Sequence, residues 1–450
     1  MKENKTLPRV LIYNATFQKI GGGGITLNTL FGAWTPENIF ILNDKFAVSS
    51  DAHFTQYYQI GHLENKSFMH KLGIMTGNKS GPVIINKINN NKLEETIILQ
   101  GSSLFKSSLY FRLKELFIQT LNKLGIYELF FQQNVSKELI QWIKNIKPDI
   151  IYFQPSTIQN IKFFNELHNI TKIPYAIHVM DNFLEINTHA KEINGKSTEL
   201  AKQTIEELIK KSNLCLGICE EMSTQYSKKF NRVFYSFQHA VDNKLWFRKY
   251  IVRKNPEPFV ILYAGRISIG TINSLFLLAQ SIDNCNRDYE SNFEFQIQTA
   301  SPVPKLLRKF SKYKCVKIHN TVPYDSLPDR YAEADLLVLP MDFDKESLTY
   351  IKYSMPTKVP EYLVSGVPIF VLAHEITALY KYAKSEKWAF LNATENSKDI
   401  EKQLMEIRNN YNKRIEVSEI AKSVGKRNHD IQIVRDSFTK LISESCHNVL

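Results

Sequence analysis

The sequence predicts an α/β protein made of two doubly wound domains. Three observations carry that expectation. Short apolar runs of strand type alternate with stretches of helical periodicity along most of the chain, the pattern of parallel sheets flanked by helices. The alternation breaks at a charge- and proline-rich connector, 250–258 (YIVRKNPEP), and then begins again. And 450 residues are too many for one core, roughly two to three domains being the usual division. The expected organisation is a first domain over 1–249, a connector over 250–258, a second domain over 259–425 and a basic helical tail over 426–450 that packs back on the first domain. Open α/β sheets bind ligands beyond the carboxyl ends of their strands, so the expected site lies in a cleft between the two domains.

In the first half, the run from Arg9 to Ala15 has strand character, and Gly21, Gly22, Gly23 and Gly24 follow as a loop. Ile25, Leu27, Leu30 and Phe31 then sit at helical spacing. A strand, a glycine loop and a helix suit close approach of backbone to a ligand at Gly23 and Gly24, and suit a plain flexible turn equally. The dinucleotide fingerprint is not met, because its sixth position is Thr26. A second strand is expected over 38–42. Polar turns make 43–105 hard to read. Leucines and aromatics at helical spacing over 104–131, with Lys106, Arg112, Lys114 and Lys123 among them, describe either a core helix or a basic helix lying on an anionic membrane. Helix 135–146, strand 150–153, helix 160–168 and strand 175–179 come next. The last ends in HVMD, which places His178 and Asp181 at a strand's carboxyl end. A helix over 197–211 and strands over 213–218 and 233–237 close this half.

The second half opens with strand 259–263, a tight turn at Gly265 and Arg266, and helix 274–282. Strands over 293–299, 316–319 and 335–339 follow, with helical stretches between them. The stretch 350–371 carries the densest information. A polar loop, 353–358, holds Tyr353, Ser354, Pro356, Thr357 and Lys358; a short helix is expected around 361–364; Gly366 and Pro368 stop it; an apolar strand begins at Ile369. Unpaired N–H groups and the positive dipole end at such a helix start suit phosphate, and Lys358 adds a full charge.

The formal net charge of +12 calls for an anionic partner, among which nucleic acid, anionic lipid and nucleotide diphosphates qualify. The basic residues are dispersed, so a solvated lysine-rich surface accounts for the charge as well. The five cysteines, at 215, 219, 285, 315 and 446, are odd in number and irregular in spacing, which fits reduced thiols in a cytosolic protein better than a metal site. The N-terminal stretch has no apolar signal region, and no run approaches the roughly 20 apolar residues that span a bilayer. The expected location is cytoplasmic, with any membrane contact peripheral.

YAGRIS (263–268), YDSLPDRYAEADLLVLP (324–340) and SMPTKVPEYLVSGVPIFV (354–371) together resemble the donor domain of GT-B glycosyltransferases of the family 4 type. The resemblance covers about residues 259–425 and is looser before that. It implies two facing Rossmann-like domains with an interdomain cleft. It implies transfer of a sugar, with retention, from a nucleotide-diphosphate donor carrying UDP or GDP to a glycan, lipid-linked or other acceptor. Such a reaction serves polysaccharide or glycoconjugate biosynthesis and uses no metal and no cofactor. By the resemblance Arg266, Lys358 and His178 are catalytic. Gly23, Gly24, Gly265, Arg266, Ser354, Pro356, Thr357 and Lys358 hold the donor diphosphate, and Glu361 accepts hydrogen bonds from the ribose. His178, Asp181 and Tyr353 face the transferred sugar or the acceptor. Two positions depart from the pattern: Tyr353 stands where a glutamate is usual and Thr271 where a lysine is usual, with Glu346 and Lys358 as stand-ins for the missing charges. Taken singly, Glu361, Arg266 and Lys358 read as surface charges and His178 as a buried, satisfied histidine. The alternatives to a transferase are an epimerase or hydrolase of nucleotide sugars, or a basic binding module for membrane or nucleic acid. No recognisable nucleic-acid motif is present, so no nucleic-acid partner is expected.

Overall fold

The computed structural model describes residues 7–15, 17, 22–44, 56–65, 79–84, 120, 133–182, 191–246, 250–300 and 304–446. The stretch 104–131, which the sequence divides between core and membrane readings, lies outside the described residues apart from Thr120. The chain divides into two compact units, one of Met1–Ile218, Ser223–Ser236 and Ser437–Leu450, the other of Cys219–Met222 and Phe237–Asp436.

The first unit holds an eight-stranded sheet. Its strands are β1 (Val10–Tyr13), β2 (Ile39–Asn43), β3 (Gln56–Gln59), β4 (Gly81–Ile84), β5 (Ile150–Phe153), β6 (Tyr175–Val179), β7 (Leu214–Gly217) and β8 (Phe234–Ser236). The order is β4-β3-β2-β1-β5-β6-β7-β8, and every pairing is parallel except the edge pair β3–β4. Apart from β4 and β8, this is the doubly wound order 3-2-1-4-5-6, which reverses between β1 and β5. β1, β5 and β6 are buried along their whole length, which is why they read as continuous apolar runs. The unit's helices are α1 (Gly22–Leu30), α2 (Lys137–Ile146), α3 (Ile158–Thr171), α4 (Lys191–Lys211) and α5 (Glu220–Phe230), the first three residues of α5 falling in the 219–222 segment of the other unit. Ser136 caps α2 and Thr157 forms a capping box with Asn160 at the start of α3. Phe438, near the C-terminus, packs edge-on against Phe31, Trp34 and Tyr152.

A buried carboxylate organises the edge of this sheet. Glu64 is 0 % exposed and takes hydrogen bonds from Tyr58 Oη (2.9 Å), the Gly61 N–H (2.9 Å), Ser80 Oγ (2.6 Å) and Ser136 Oγ (2.5 Å). Four donors offset the desolvation of one carboxylate and join β3, the turn after it, the lead-in to β4 and the cap of α2.

The second unit has six strands, all parallel: β9 (Phe259–Ala264), β10 (Phe293–Gln298), β11 (Val316–His319), β12 (Leu336–Pro340), β13 (Ile369–Leu372) and β14 (Phe390–Asn392). The order β11-β10-β9-β12-β13-β14 is again 3-2-1-4-5-6, reversing between β9 and β12. Its helices are α6 (Asn243–Trp246), α7 (Ile272–Asp288), α8 (Pro304–Phe310), α9 (Leu327–Ala332), α10 (Lys345–Ile351), α11 (Val359–Ser365), α12 (Ala378–Glu386), α13 (Ser397–Asn409), α14 (Tyr411–Asn428) and α15 (Ile431–Ser445), the last running on into the segment 437–450. The core is the apolar face of β9, β10 and β12 against α7 and α13, with Phe259, Ile261, Leu278, Ile282, Phe295 and Leu404 at its centre. Gly425 of α14 lies against α11 so closely that a Cβ there would come within 2.7 Å of Val364 Cγ1.

The connector 250–258 is fixed to the second unit. Arg253 forks onto Asp335 at 2.7 and 2.6 Å, Tyr250 Oη donates to the Ala334 carbonyl (3.0 Å), and Arg414 Nη2 donates to the Lys254 carbonyl (2.9 Å). Asp335 is fully buried and also accepts the Val260 N–H at 2.8 Å. Burial pushes its carboxyl pKa up, and the Val260 N–H and the Arg253 guanidinium offset only part of that. No described helix is long and apolar enough to cross a membrane.

His429 ends α14 at 1 % exposure, with Tyr382 Oη 2.9 Å from its Nε2. Burial, with His239 nearby, lowers its pKa from 6.5 to about 3. The folded state therefore favours the neutral ring; its stabilising contribution is complete above the unfolded value and is lost as pH falls towards the folded one. Between pH 7 and pH 5 this costs about 2 kcal/mol. Melting curves of the parent across that range should fall more steeply than those of His429→Gln; parallel curves would refute the assignment.

Candidate functional site

The site is built at the carboxyl end of β9, next to the reversal of strand order. β9 (FVILYA) is buried throughout and is followed by the loop 265–271 that leads into α7. Three hydrogen bonds fix this end. The Gly265 N–H donates to the Gln298 carbonyl (2.9 Å), the Ala264 N–H to Tyr362 Oη (3.0 Å), and Tyr263 Oη to the Arg266 carbonyl (2.6 Å). Arg266 is exposed.

The polar loop after α10 brings a second cation to the same place. Lys358 immediately precedes α11, whose second residue, Pro360, is tolerated because first-turn N–H groups have no helical partner. Gly366 closes α11 at φ 83°, the left-handed cap that glycine adopts at least cost, and Pro368 leads into β13. Lys358 Nζ lies 4.2 Å from the centroid of the Tyr263 ring. It also fills the space beside Gly265, where a Cβ would fall 1.9 Å from Nζ and 3.0 Å from Tyr263 Oη. Among the described residues no carboxylate pairs with Lys358 or Arg266, so neither cation is tied up in an ion pair there.

Glu361, in the first turn of α11, is only 4 % exposed. Its Oε2 accepts from Tyr331 Oη at 3.1 Å, and its Oε1 lies 3.6 Å from His239 Nε2. Tyr324 Oη is 3.5 Å from the same nitrogen, and Trp246 packs against the rings of Tyr324 and Tyr331. Burial, with the Glu361 charge adding to it, raises the pKa of both phenols, which therefore stay protonated and able to donate.

The remaining expected residues fall as follows. Ser354 Oγ donates to the Tyr350 carbonyl (3.1 Å), and the Pro356 carbonyl accepts the Val359 N–H (3.0 Å) in the turn that carries Thr357. Tyr353 is 8 % exposed, with the Lys352 ammonium 4.9 Å from its ring centroid. Thr271 closes a local turn through its hydroxyl, donating to the Ser268 carbonyl at 3.0 Å, and Glu346 is exposed in the first turn of α10. In the first unit, His178 lies within β6 at 0 % exposure with Nδ1 2.5 Å from Tyr152 Oη, and Asp181 is exposed just beyond that strand. The glycine loop is corrected: from Gly22 on, these residues form the first turn of α1, while Gly21 lies outside the described residues. A helix's first turn needs no preceding carbonyl partners, and nothing within 4 Å of Gly23 would meet a side chain there, so four glycines in a row do not prevent the helix from starting.

The structure thus gathers Gly265, Arg266, Lys358 and Glu361 in the second unit. Reading the sequence missed Tyr263, Tyr331, His239 and Asp342. Asp342 is fully buried, accepts the Ser274 N–H (2.8 Å) and donates its own N–H to the Gly270 carbonyl (2.9 Å), tying the end of β12 to the loop that carries Arg266. Tyr263 and Tyr331 lie inside the motif stretches, but nothing in a linear pattern marks a tyrosine as the seat of a lysine or as the partner of a carboxylate.

No protein-family model and no curated protein sequence matches the chain. Solved structures do. HepE from Anabaena, in complex with UDP and glucose, superposes with a TM-score of 0.59 at 12% identity over 97% of this chain and 99% of its own. Sucrose-phosphate synthase from Thermosynechococcus elongatus gives 0.60 at 9% identity over 97% and 98%, and a glycosyltransferase from Rickettsia africae gives 0.57 at 8% over 98% and 99%. The chain therefore has the GT-B fold of these proteins, with two Rossmann-like units.

Gly265 has an ordinary φ, so alanine fits its backbone, and the clash falls on the mobile end of Lys358. Gly265→Ala should fold with a melting temperature close to the parent's yet bind inorganic pyrophosphate about tenfold more weakly in titration calorimetry, as expected when one charge-assisted contact is lost. Gly265→Ala/Lys358→Ala should be no weaker than Lys358→Ala alone. Additive losses would show that the glycine acts by another route.

Proposed function

We propose that the protein is a glycosyltransferase of the family 4 type that moves a sugar, with retention, from a nucleoside-diphosphate donor to a glycan or lipid-linked acceptor in polysaccharide or glycoconjugate assembly. The observation that carries the reading is the pair of cations without carboxylate partners among the described residues, Arg266 and Lys358, placed around Gly265 at the end of the central strand of a Rossmann sheet. A guanidinium and an ammonium beside a bare backbone fit a diphosphate. As the sugar leaves, negative charge grows on the β-phosphate. Cations already fixed in place stabilise that charge more than they stabilise the bound donor, which lowers the barrier. Glu361, backed by Tyr331 and His239, is the acceptor group for the ribose hydroxyls. UDP is the first donor base to test, because HepE was solved with UDP and glucose. The protein is proposed to act in the cytoplasm, where a membrane-bound acceptor would be met at the inner face.

Titration calorimetry with UDP and GDP tests the reading. The parent should bind at least one of them, and Arg266→Ala and Lys358→Ala should each weaken binding about 10- to 100-fold, the range for a hydrogen bond to a charged group. No binding of either nucleotide to the parent would sink the proposal. Because side-chain cations neutralise the diphosphate here, donor turnover should persist in EDTA; loss of turnover that manganese restores would contradict a metal-independent transfer.

A further inference from the structure

The two cations of the diphosphate site share one support. Tyr263 is 2 % exposed, held in the middle strand of the sheet by pairing with Ile297 and by the surrounding core. Its ring face carries the Lys358 ammonium at 4.2 Å, and its hydroxyl donates to the Arg266 carbonyl at 2.6 Å. The same oxygen would stand 3.0 Å from a Cβ at Gly265. One rigid side chain therefore touches the lysine, the arginine's backbone and the glycine gap between them.

The choice of an aromatic partner has a consequence for charge. A carboxylate at this position would also hold the ammonium, but it would cancel the positive field and occupy its donors. A ring face attracts the cation through its quadrupole and leaves the net charge intact. The lysine stem, which would otherwise sample many rotamers, is kept in place without being neutralised, and the entropy of ordering it is not charged against ligand binding. The hydroxyl does the corresponding work for the loop, fixing the backbone from which the exposed Arg266 side chain projects. We infer that Tyr263 is the positioning residue for both diphosphate-binding cations, its ring seating Lys358 and its hydroxyl setting the Arg266 turn. This rests on the donor-site reading above.

The two functions separate in two variants. Tyr263→Phe keeps the ring and loses the hydroxyl; Tyr263→Leu loses both. Two readouts are needed, one with ligand and one without. In titrations of UDP against uridine, Tyr263→Leu should weaken UDP about 10-fold while leaving uridine unchanged, Tyr263→Phe should fall between Leu and the parent, and Tyr263→Leu/Lys358→Ala should be weaker than Lys358→Ala alone only by the factor that separates Tyr263→Phe from the parent. Without ligand, acetylation by an N-hydroxysuccinimide ester, read at Lys358 by mass spectrometry, should speed up several-fold in Tyr263→Leu and stay near the parent rate in Tyr263→Phe. A parent that does not bind UDP overturns the functional reading, while the labelling still decides whether the ring seats the lysine. UDP and uridine falling together would mark a general packing role, and unchanged Lys358 labelling in a folded Tyr263→Leu would overturn the inference outright. Should the leucine variant not fold, the phenylalanine variant keeps the test open: UDP affinity at the parent level would remove the hydroxyl's role, and Lys358 labelling raised despite the retained ring would remove the ring's.

Discussion

The gap at Gly265 is the constraint on which the architecture around the end of β9 turns. Lys358 reaches the end of β9 only because residue 265 has no side chain, its Nζ lying 1.9 Å from where a Cβ would stand. Much of the second unit arranges that meeting. The strand order places β9 beside the reversal, so its carboxyl end opens where helices diverge to either side. Tyr362 Oη takes the Ala264 N–H and thereby docks α11 on β9, and α11 in turn carries Lys358 at its start and Glu361 within its first turn. Behind it, Gly425 lets α14 approach α11 closely enough to hold it there.

Charge is distributed with a clear asymmetry. Three buried carboxylates are engaged in structure: Glu64 by four donors, Asp335 by Arg253 and the Val260 N–H, and Asp342 by the Ser274 N–H. Each sits where an uncompensated charge would be costly, and each joins segments far apart in sequence. Glu361 is intermediate, buried and contacted by Tyr331, His239 and Tyr324, yet a carboxylate has about four lone-pair sites and three neighbours leave acceptor capacity. Arg266 and Lys358 have no acidic partner among the described residues. Two cations that are not tied up by acids attract a dianionic ligand without an ion pair first having to break.

Legibility from sequence followed the range of the interactions. The loop, short helix, glycine stop and strand over 353–372 were readable because each signal is local: a proline at a helix start, a left-handed glycine at its end, a continuous apolar run for a strand buried on both faces. The doubly wound class followed from the same alternation. What linear patterns hide is pairing at a distance. Residues 250–258 look like a free linker because Arg253 finds Asp335 82 positions away. Glu64, inside the hardest stretch to read, draws a donor from Ser136, 72 positions on. The glycine run misled for a different reason: glycine's low helix propensity is a weak prior, and Leu27 and Leu30, both buried, outweigh it.

The two departures from the resembled pattern look different beside the geometry. Where a lysine is usual, Thr271 uses its hydroxyl to close the turn ahead of α7, a task a lysine side chain would not perform. Where a glutamate is usual, Tyr353 is packed away at 8 % exposure. One positive and one negative charge are thus missing, and their loss nearly balances. The positive charge that does remain in this loop is Lys358, seated over a neutral ring and a bare backbone. An arginine there would not be equivalent: its planar, broader head would have to fit the same small gap beside Gly265, and it would stack on Tyr263 with its donors directed in the plane of the ring rather than up towards a phosphate. The site therefore depends on a compact cation at 358, and Tyr263 and Gly265 together supply the face and the space that such a cation needs.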